Sequence, residues 1–453
     1  MISVTLIAAM VFSIAGCNEE EQPLTQSSVS FPWIDSDIFE NIDLMAQADL
    51  KDDYAAAVDY AWASVQQKDY TYRIMSFGEI ERKVVENKRA LLDNDEIQDP
   101  NLTVLRTADD IFCDWEYRDL IGVEPLKQYL KYIDDIQSLD DVSAYMIDND
   151  KNPFGVSLVE LSYLNNECLE NRRALCIDTT RLTLDKRDYY LSMGDEGYKQ
   201  KEKIETRAYY ILERCGYSEK EVKDLLRRCH RFESELINLD IEDNYSEEKI
   251  YSMSDVIQKA GRYPLKEMLD HYSIVSCDCF MGNLNYLDGL DYIYNQGNVE
   301  DMKAYFKVRL ALEALPYLDA GAYDCYKDSA LDRTNPFSER IDKDPDYCYF
   351  YLMRDTVLTA AMDQVYLDHY FNETTHNEVI NFVHLIKEKY TILINANEHL
   401  SEESKQAVIS KLNNMGENIM LPSNRADFSD VVLKSKEDTL HVFVRIQILN
   451  LSV

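Results

Sequence analysis

Glycine and proline are scarce in this chain, at 13 and 10 among 453 residues. These residues break helices and open tight turns. A β-sandwich or barrel of this length needs many such turns. Their scarcity leaves long helices as the main building material. Apolar residues make up 46% of the chain, enough for a sizeable core. The length fits two or three domains, or one large multi-lobed body.

The apolar spacing agrees. Ile204, Ala208, Ile211, Leu212 and Cys215 recur at helical intervals up to Gly216, a natural C-terminal cap. Ser218-Glu219-Lys220-Glu221 has the form of a capping box. It opens a helix with Val222, Leu225, Leu226, Cys229 and Phe232 facing inward. Asn298 is placed to cap a helix that turns Met302, Tyr305, Phe306 and Leu310 to the core and closes near Pro316. Val357, Ala361 and Val365 form another apolar stripe, and Val379, Phe382, Ile386, Tyr390 and Leu393 the next. Ser401 starts a helix carrying Val408, Leu412 and Met415 and ending at Gly416.

Strand signals are few. Residues 156–160 alternate after Asn152-Pro153-Phe154-Gly155, and Ala174 to Leu184 reads as extended. Together they predict one small hairpin on a helical body. Near the end, His441 to Val453 is almost uncharged, and Val442, Val444, Ile446 and Ile448 alternate. That pattern predicts a strand. No fixed-period repeat is present.

The formal charge is −36, spread along the chain rather than gathered in a tail. Such a surface repels phosphate backbones and anionic headgroups, so nucleic acid is excluded as a partner. The 32 tyrosines read mainly as amphipathic packing residues, some of which could line a cleft.

Ile2 to Gly16 is uncharged and mostly apolar, too short to span a bilayer and of the length of a secretory leader. Ile14-Ala15-Gly16-Cys17 resembles a bacterial lipobox, although no Lys or Arg precedes the apolar run. The resemblance implies cleavage after residue 16, lipidation of Cys17, and an extracytoplasmic protein held to the membrane by its lipid alone. Residues 17–36, with Pro23, Pro32 and a Gln/Ser cluster, read as a tether. Ten cysteines leave an odd nine beyond Cys17, which cannot all pair within one chain. Cys277-Asp278-Cys279 has no second pair or nearby His at ligand spacing.

None of the seven histidines lies four residues from another, so no helical zinc pair is possible, and His-Glu-x-x-His is absent. His376 and His384 stand two helical turns apart, too far for one ion. The acid pairs, such as Asp52-Asp53 and Asp109-Asp110, are what an acidic chain places at helix starts and in loops.

Six segments fall in an order that is similar to the neprilysin-like zinc metallopeptidases. Asp52-Asp53-Tyr54 to Trp62 resembles the family's opening "D-D-F-Y-x-Y-V-N-G-x-W", with Asp59-Tyr60 in place of Asn-Gly. Asn152-Pro153-Phe154-Gly155-Val156 follows, and then Leu184 to Leu191, which resembles "L-x-x-R-D-Y-Y" through Arg187, Asp188, Tyr189 and Tyr190. Ala304 to Arg309 with Leu315-Pro316-Tyr317-Leu318, Met362 to Phe371, and Leu400 to Leu412 complete the series.

The resemblance implies a mainly α fold: a helical capping lobe with a small β-hairpin, beside an incomplete catalytic zincin lobe. It places the first helices of the catalytic lobe at 37–95, the capping lobe at 96–415, and a return linker at 416–453. In the family, zinc and a glutamate activate water against oligopeptides. The implied partners here are oligopeptides or a missing catalytic half. No family catalytic or zinc residue maps onto these residues, so no cofactor is expected in this chain. Arg187, Asp188, Tyr189, Tyr190 and Trp62 are expected to be a fold signature. The family has a charged helical stretch where His441 begins, so a frameshift or early stop is inferred there.

Overall fold

The computed structural model describes residues 76–165, 173–184, 186–239, 250–274, 277–281, 283–330, 356–417, 419, 431–434 and 436–450. Cys17, the tether and the Asp52–Trp62 segment lie outside the described residues. The elements in chain order begin with α1 (Ser76–Leu92), α2 (Pro100–Cys113), α3 (Trp115–Ile121), α4 (Glu124–Asp134) and α5 (Leu139–Ile147). Next come β1 (Val159–Asn165), β2 (Arg173–Thr179), α6 (Asp188–Leu191), α7 (Asp195–Arg214) and α8 (Glu219–Leu239). Then follow β3 (Ile250–Ser252), α9 (Met253–Ala260), α10 (Leu265–His271), β4 (Asp278–Phe280), α11 (Leu284–Ile293) and α12 (Val299–Ala314). The last are α13 (Ala320–Ala330), α14 (Val357–Tyr370), α15 (Glu373–Ala396), α16 (Glu402–Asn413) and α17 (Thr439–Asn450). The fold is mainly helical, as expected. No helix among the described residues is long and apolar enough to cross a membrane.

The chain divides into two compact units: Met1–Leu102 with Ala361–Phe428, and Thr103–Ala360 with Ser429–Val453. The second holds the large core. At its centre runs α12, packed against α4, α5, α7 and α8. Thirteen of its sixteen residues are buried, so this helix has no free polar face. Four of the thirteen are charged, and each finds a partner, as burial of a charge requires. Asp301 takes Arg228 at 3.0 Å and also Arg231. Lys303 donates to the carbonyls of Asp134 and Ile136 at 3.0 and 2.8 Å, closing the C-terminal end of α4. Lys307 pairs with the Asp134 carboxylate. Arg309 donates to the Arg181 carbonyl and to Glu313.

The expected stripes of α7 and α8 are present. Ala208, Ile211, Leu212, Val222, Leu226, Cys229 and Phe232 are buried. Gly216 ends the first stripe at φ +104°, a conformation glycine adopts without strain. The capping box is formed: Glu221 N–H donates to Ser218 Oγ at 3.4 Å, and the Ser218 N–H to the Glu221 carboxylate at 2.7 Å. Asn298 does not cap α12. Its amide donates to the Ile293 carbonyl at 3.0 Å, because a 3-10 turn (Gln296–Asn298) leads directly into the helix.

A hairpin is present as β1 with β2, antiparallel, Val159 opposite Thr179 and Ser162 opposite Cys176, but β1 begins only at Val159 rather than spanning 156–160, and β2 ends at Thr179 rather than Leu184. Two further strands extend it to the order β1-β2-β4-β3, with β4 parallel to β2 and antiparallel to β3. Cys277-Asp278-Cys279 therefore lies at the start of a three-residue strand, with Cys279 buried opposite Leu175.

The terminal segment departs from expectation. Residues 439–450 form helix α17, not a strand. Leu440, Val442, Phe443, Val444 and Ile446 are all buried within the second unit, to which α17 belongs. A helix covered on most sides needs no polar face, so alternation carries no period information there.

In the first unit, α15 and α16 pack on each other. Asn372 and Ser401 cap them through side-chain oxygens that accept from Thr375 and Ser404 N–H. Neither helix contains a buried residue. Of the stripes read as core-facing, Val379, Phe382, Val408 and Met415 are exposed and Ile386, Tyr390, Leu393 and Leu412 only half-buried, and Leu385 and Ile392 beside them are exposed too.

Candidate functional site

The signature Arg187-Asp188-Tyr189-Tyr190 makes the short helix α6, which brings the chain from β2 back onto α8. Asp188 opens the helix and its carbonyl accepts the Ser192 N–H at 2.9 Å. Arg187 is the residue before the helix, and its Nε is buried without a hydrogen-bond partner. The Tyr189 ring is buried, with the Lys186 ammonium 5.4 Å from its centroid. Gly197 of α7 lies against that ring: a Cβ there would stand 3.0 Å from Tyr189 Cδ1 and 3.2 Å from Met193 Cγ. Glycine therefore lets α7 approach α6 closely.

Tyr190 reaches the centre of the site. Its hydroxyl donates to Glu233 at 2.9 Å and accepts the Leu184 N–H at 3.0 Å. Glu233, fully buried on α8, also accepts from the Thr183 N–H at 2.6 Å and the Thr183 hydroxyl at 2.7 Å. Three donors on one carboxylate satisfy a charge that would otherwise be very costly inside the core. Burial, followed by the Glu233 charge, pushes the Tyr190 phenol well above its ordinary value. Burial pushes the Cys229 thiol up in the same way. His230 stands between two carboxylates, 3.6 Å from Glu205 and 3.5 Å from Glu233, and neither ring nitrogen makes a hydrogen bond.

A second set of bonds joins the other motifs. The Tyr305 hydroxyl meets the Arg181 carbonyl and the Thr180 hydroxyl, both at 2.8 Å. Asn152 folds the Asn-Pro-Phe-Gly turn over itself, accepting from Val156 N–H at 2.9 Å and donating to the Val156 carbonyl at 3.0 Å. Phe154 from that turn faces Tyr317 and Phe443, and the last two stack with centroids 4.0 Å apart. Arg118, only 1% exposed, donates to the carbonyls of Phe112, Pro316 and Leu318 at 2.7–2.8 Å, with its guanidinium 3.9 Å from the Trp115 ring centroid.

These motifs thus form buried connections, with no open nucleophile–base pair among those described. Arg118 and Glu233 are the residues that sequence reasoning missed. Among the described residues no group of three or more His, Cys, Asp or Glu side chains is arranged to hold a metal. His384 bonds Glu417 at 3.0 Å, whereas His376 packs on the Phe371 ring. Cys277 and Cys279 are free thiols, and burial first, then Cys277, pushes Cys279 up to about 12. The described residues thus present no donor set that fits a catalytic zinc.

Residues 51–422 match peptidase family M13. Neprilysin-11 of Caenorhabditis elegans is 21% identical over 295 residues, which is 60% of this chain and 34% of that protein. The crystal structure of PepO from Lactobacillus rhamnosis HN001 superposes with a TM-score of 0.68 at 15% identity, covering 90% of this chain and 65% of that one. The open-state structure of the Mycobacterium tuberculosis zinc metalloprotease Zmp1 gives 0.71 at 14% identity, covering 89% and 64%. The chain therefore spans about a third of the curated relative and under two thirds of these solved chains.

Proposed function

The chain belongs to peptidase family M13, and from that premise we propose that it supplies the helical lobe that limits oligopeptide access in a neprilysin-like zinc metallopeptidase. The match from 51 to 422 carries this reading, since it runs through both compact units. The same 453 residues contain no His-Glu-x-x-His. A water-activating zinc would need ligands from residues outside them. On this reading the chain alone neither binds catalytic zinc nor cleaves peptides. The test is hydrolysis of a quenched fluorescent oligopeptide by the purified chain with added Zn²⁺. No turnover is expected; a rate abolished by a chelator would overturn the reading.

The open apolar stripe of α15 and α16 favours a second reading, in which the chain captures a partner polypeptide. That partner is one carrying the zinc-binding half of the peptidase. Mixing the chain with such a half from a family member should restore chelator-sensitive hydrolysis. No restoration at micromolar concentrations removes this reading. The proposal extends to Cys17, whose sulfur would carry lipid and hold the protein outside the cytoplasm. Mass spectrometry of the mature N-terminus decides it, an unmodified thiol being the contrary outcome.

A further inference from the structure

On the second unit, the C-terminal end of α4, the turn at Tyr217-Ser218, the first two turns of α8 and Lys307 of α12 enclose a groove of about 910 Å³. This is within the range of small-ligand sites. Its base is polar and built. The Lys307 ammonium lies 5.1 Å from the Tyr217 ring centroid and pairs with Asp134, which also accepts the Tyr217 hydroxyl at 3.1 Å.

The acids and bases of the lining are not equivalent. Each acid is already engaged. Asp134 is held as just described. Glu221 accepts from the Ser218 N–H and hydroxyl at 2.7 and 2.6 Å. Asp224 accepts from Arg227 at 2.5 Å and Arg228 at 2.8 Å. The Ser218 bonds hold the Glu221 carboxyl below its ordinary range, and Arg227, then Arg228, do the same for Asp224. Lys220 and Lys223 also line the groove, are exposed, and have no ion-pair or hydrogen-bond partner among the described residues. The uncommitted charge in the groove is therefore positive, in a chain whose net charge is −36.

Distance decides which charge a ligand feels. At physiological salt the field of exposed charges decays over about 8 Å. A group seated beside Lys220 and Lys223 feels these two ammonium groups and the positive end of α8 most closely, with Glu219, Glu221 and Asp224 of the same turns opposing them. Lys220, Lys223 and Arg227 stand at i, i+3 and i+7 on one helix face, a row about 10 Å long. Roughly three residues of extended chain cover that length.

We propose that this groove binds an extended acidic peptide segment, with carboxylates on Lys220 and Lys223 and the backbone against Tyr217 and Leu225. The proposal is independent of zinc chemistry and stands or falls apart from the peptidase reading. The test is fluorescence anisotropy of a labelled Glu-Gly-Glu-Gly-Glu peptide with the full chain at 150 mM salt, beside its Gln-Gly-Gln-Gly-Gln counterpart. Two exposed ion pairs predict about ten-fold tighter binding of the acidic peptide. The variant K220E/K223E should lose that preference. The variant K199E/K203E changes the net charge equally, at exposed positions of α7, and should keep it. Equal losses in both variants, equal affinity for both peptides, or no saturation below millimolar concentration would overturn the proposal. Thermal melting of both variants with the parent checks that neither has unfolded.

Discussion

Helices α12 and α15 reverse the usual expectation about what goes inside. The first carries Glu300, Asp301, Lys303, Lys307, Arg309 and Glu313 in sixteen residues, yet thirteen of the sixteen are buried. The second has Val379, Phe382, Leu385 and Ile392 in twenty-four residues, and none of the twenty-four is buried. Composition does not separate them. What separates them is supply: α12 has α4, α5, α7 and α8 around it, and each of its buried charges meets a carbonyl or an opposite charge. An apolar stripe states a need for cover, and only neighbouring elements can meet it.

The comparison can be broken most decisively at Phe306, which is fully buried on α12. Phe306→Ala should destabilise the protein by about 4 kcal/mol, measured as a fall in the urea midpoint. A loss under about 1 kcal/mol would mean that α12 is not the central helix it is taken to be. Next comes Glu233→Ala, which strands the Thr183 N–H, the Thr183 hydroxyl and the Tyr190 hydroxyl. Its expected cost is about 3 kcal/mol. Hydrogen exchange of the Thr183 and Leu184 amides should rise with it, which a simple cavity elsewhere would not produce.

A smaller effect depends on pH. Burial alone would raise the Asp319 carboxyl, but the Arg214 guanidinium and the Ala322 N–H outweigh it and hold the group below its ordinary value. A depressed native value stabilises above the unfolded value, near 3.9, and that contribution is lost as pH falls through the native one. Arg214→Met should therefore lower stability at neutral pH and flatten its decline below about pH 4. Parallel curves for variant and parent would refute the pairing. Smallest of all is Phe382→Ser on α15, at about 0.5 kcal/mol or less, with reduced binding of a hydrophobic dye. If it costs as much as Phe306→Ala, α15 is covered in solution and the contrast fails.

Local patterns in the sequence were the readable ones. The α7 stripe, the Gly216 cap and the Ser218–Glu221 box depend on residues within one or two turns of each other, and the structure contains all three. The β1–β2 hairpin was visible for the same reason. Strands β3 and β4 were not, because three residues carry no period and their pairing joins distant segments. The linking side chains were hidden similarly. Arg118 bonds carbonyls 198 and 200 residues away, and Glu233 bonds donors 43 and 50 residues away. Nothing in the residues adjoining Arg118 marks it as buried, whereas Glu233 continues the Val222, Leu226 and Cys229 stripe, so its burial was legible and only its partners were hidden. In α17, burial on most sides removed the cue that separates helix from strand.

The position of α17 also sets a schedule for biosynthesis. Phe443 stacks on Tyr317 and faces Phe154, and Leu440 and Val444 belong to the same core as α12. The second unit is interrupted after Ala360 by a segment of the first and resumes only at Ser429. Phe443 is therefore made 83 residues after Ala360. At ordinary translation rates the growing chain waits roughly 4 to 17 seconds with that part of its core open. During that interval Tyr317 and Phe154 lack their last aromatic neighbour, Phe443.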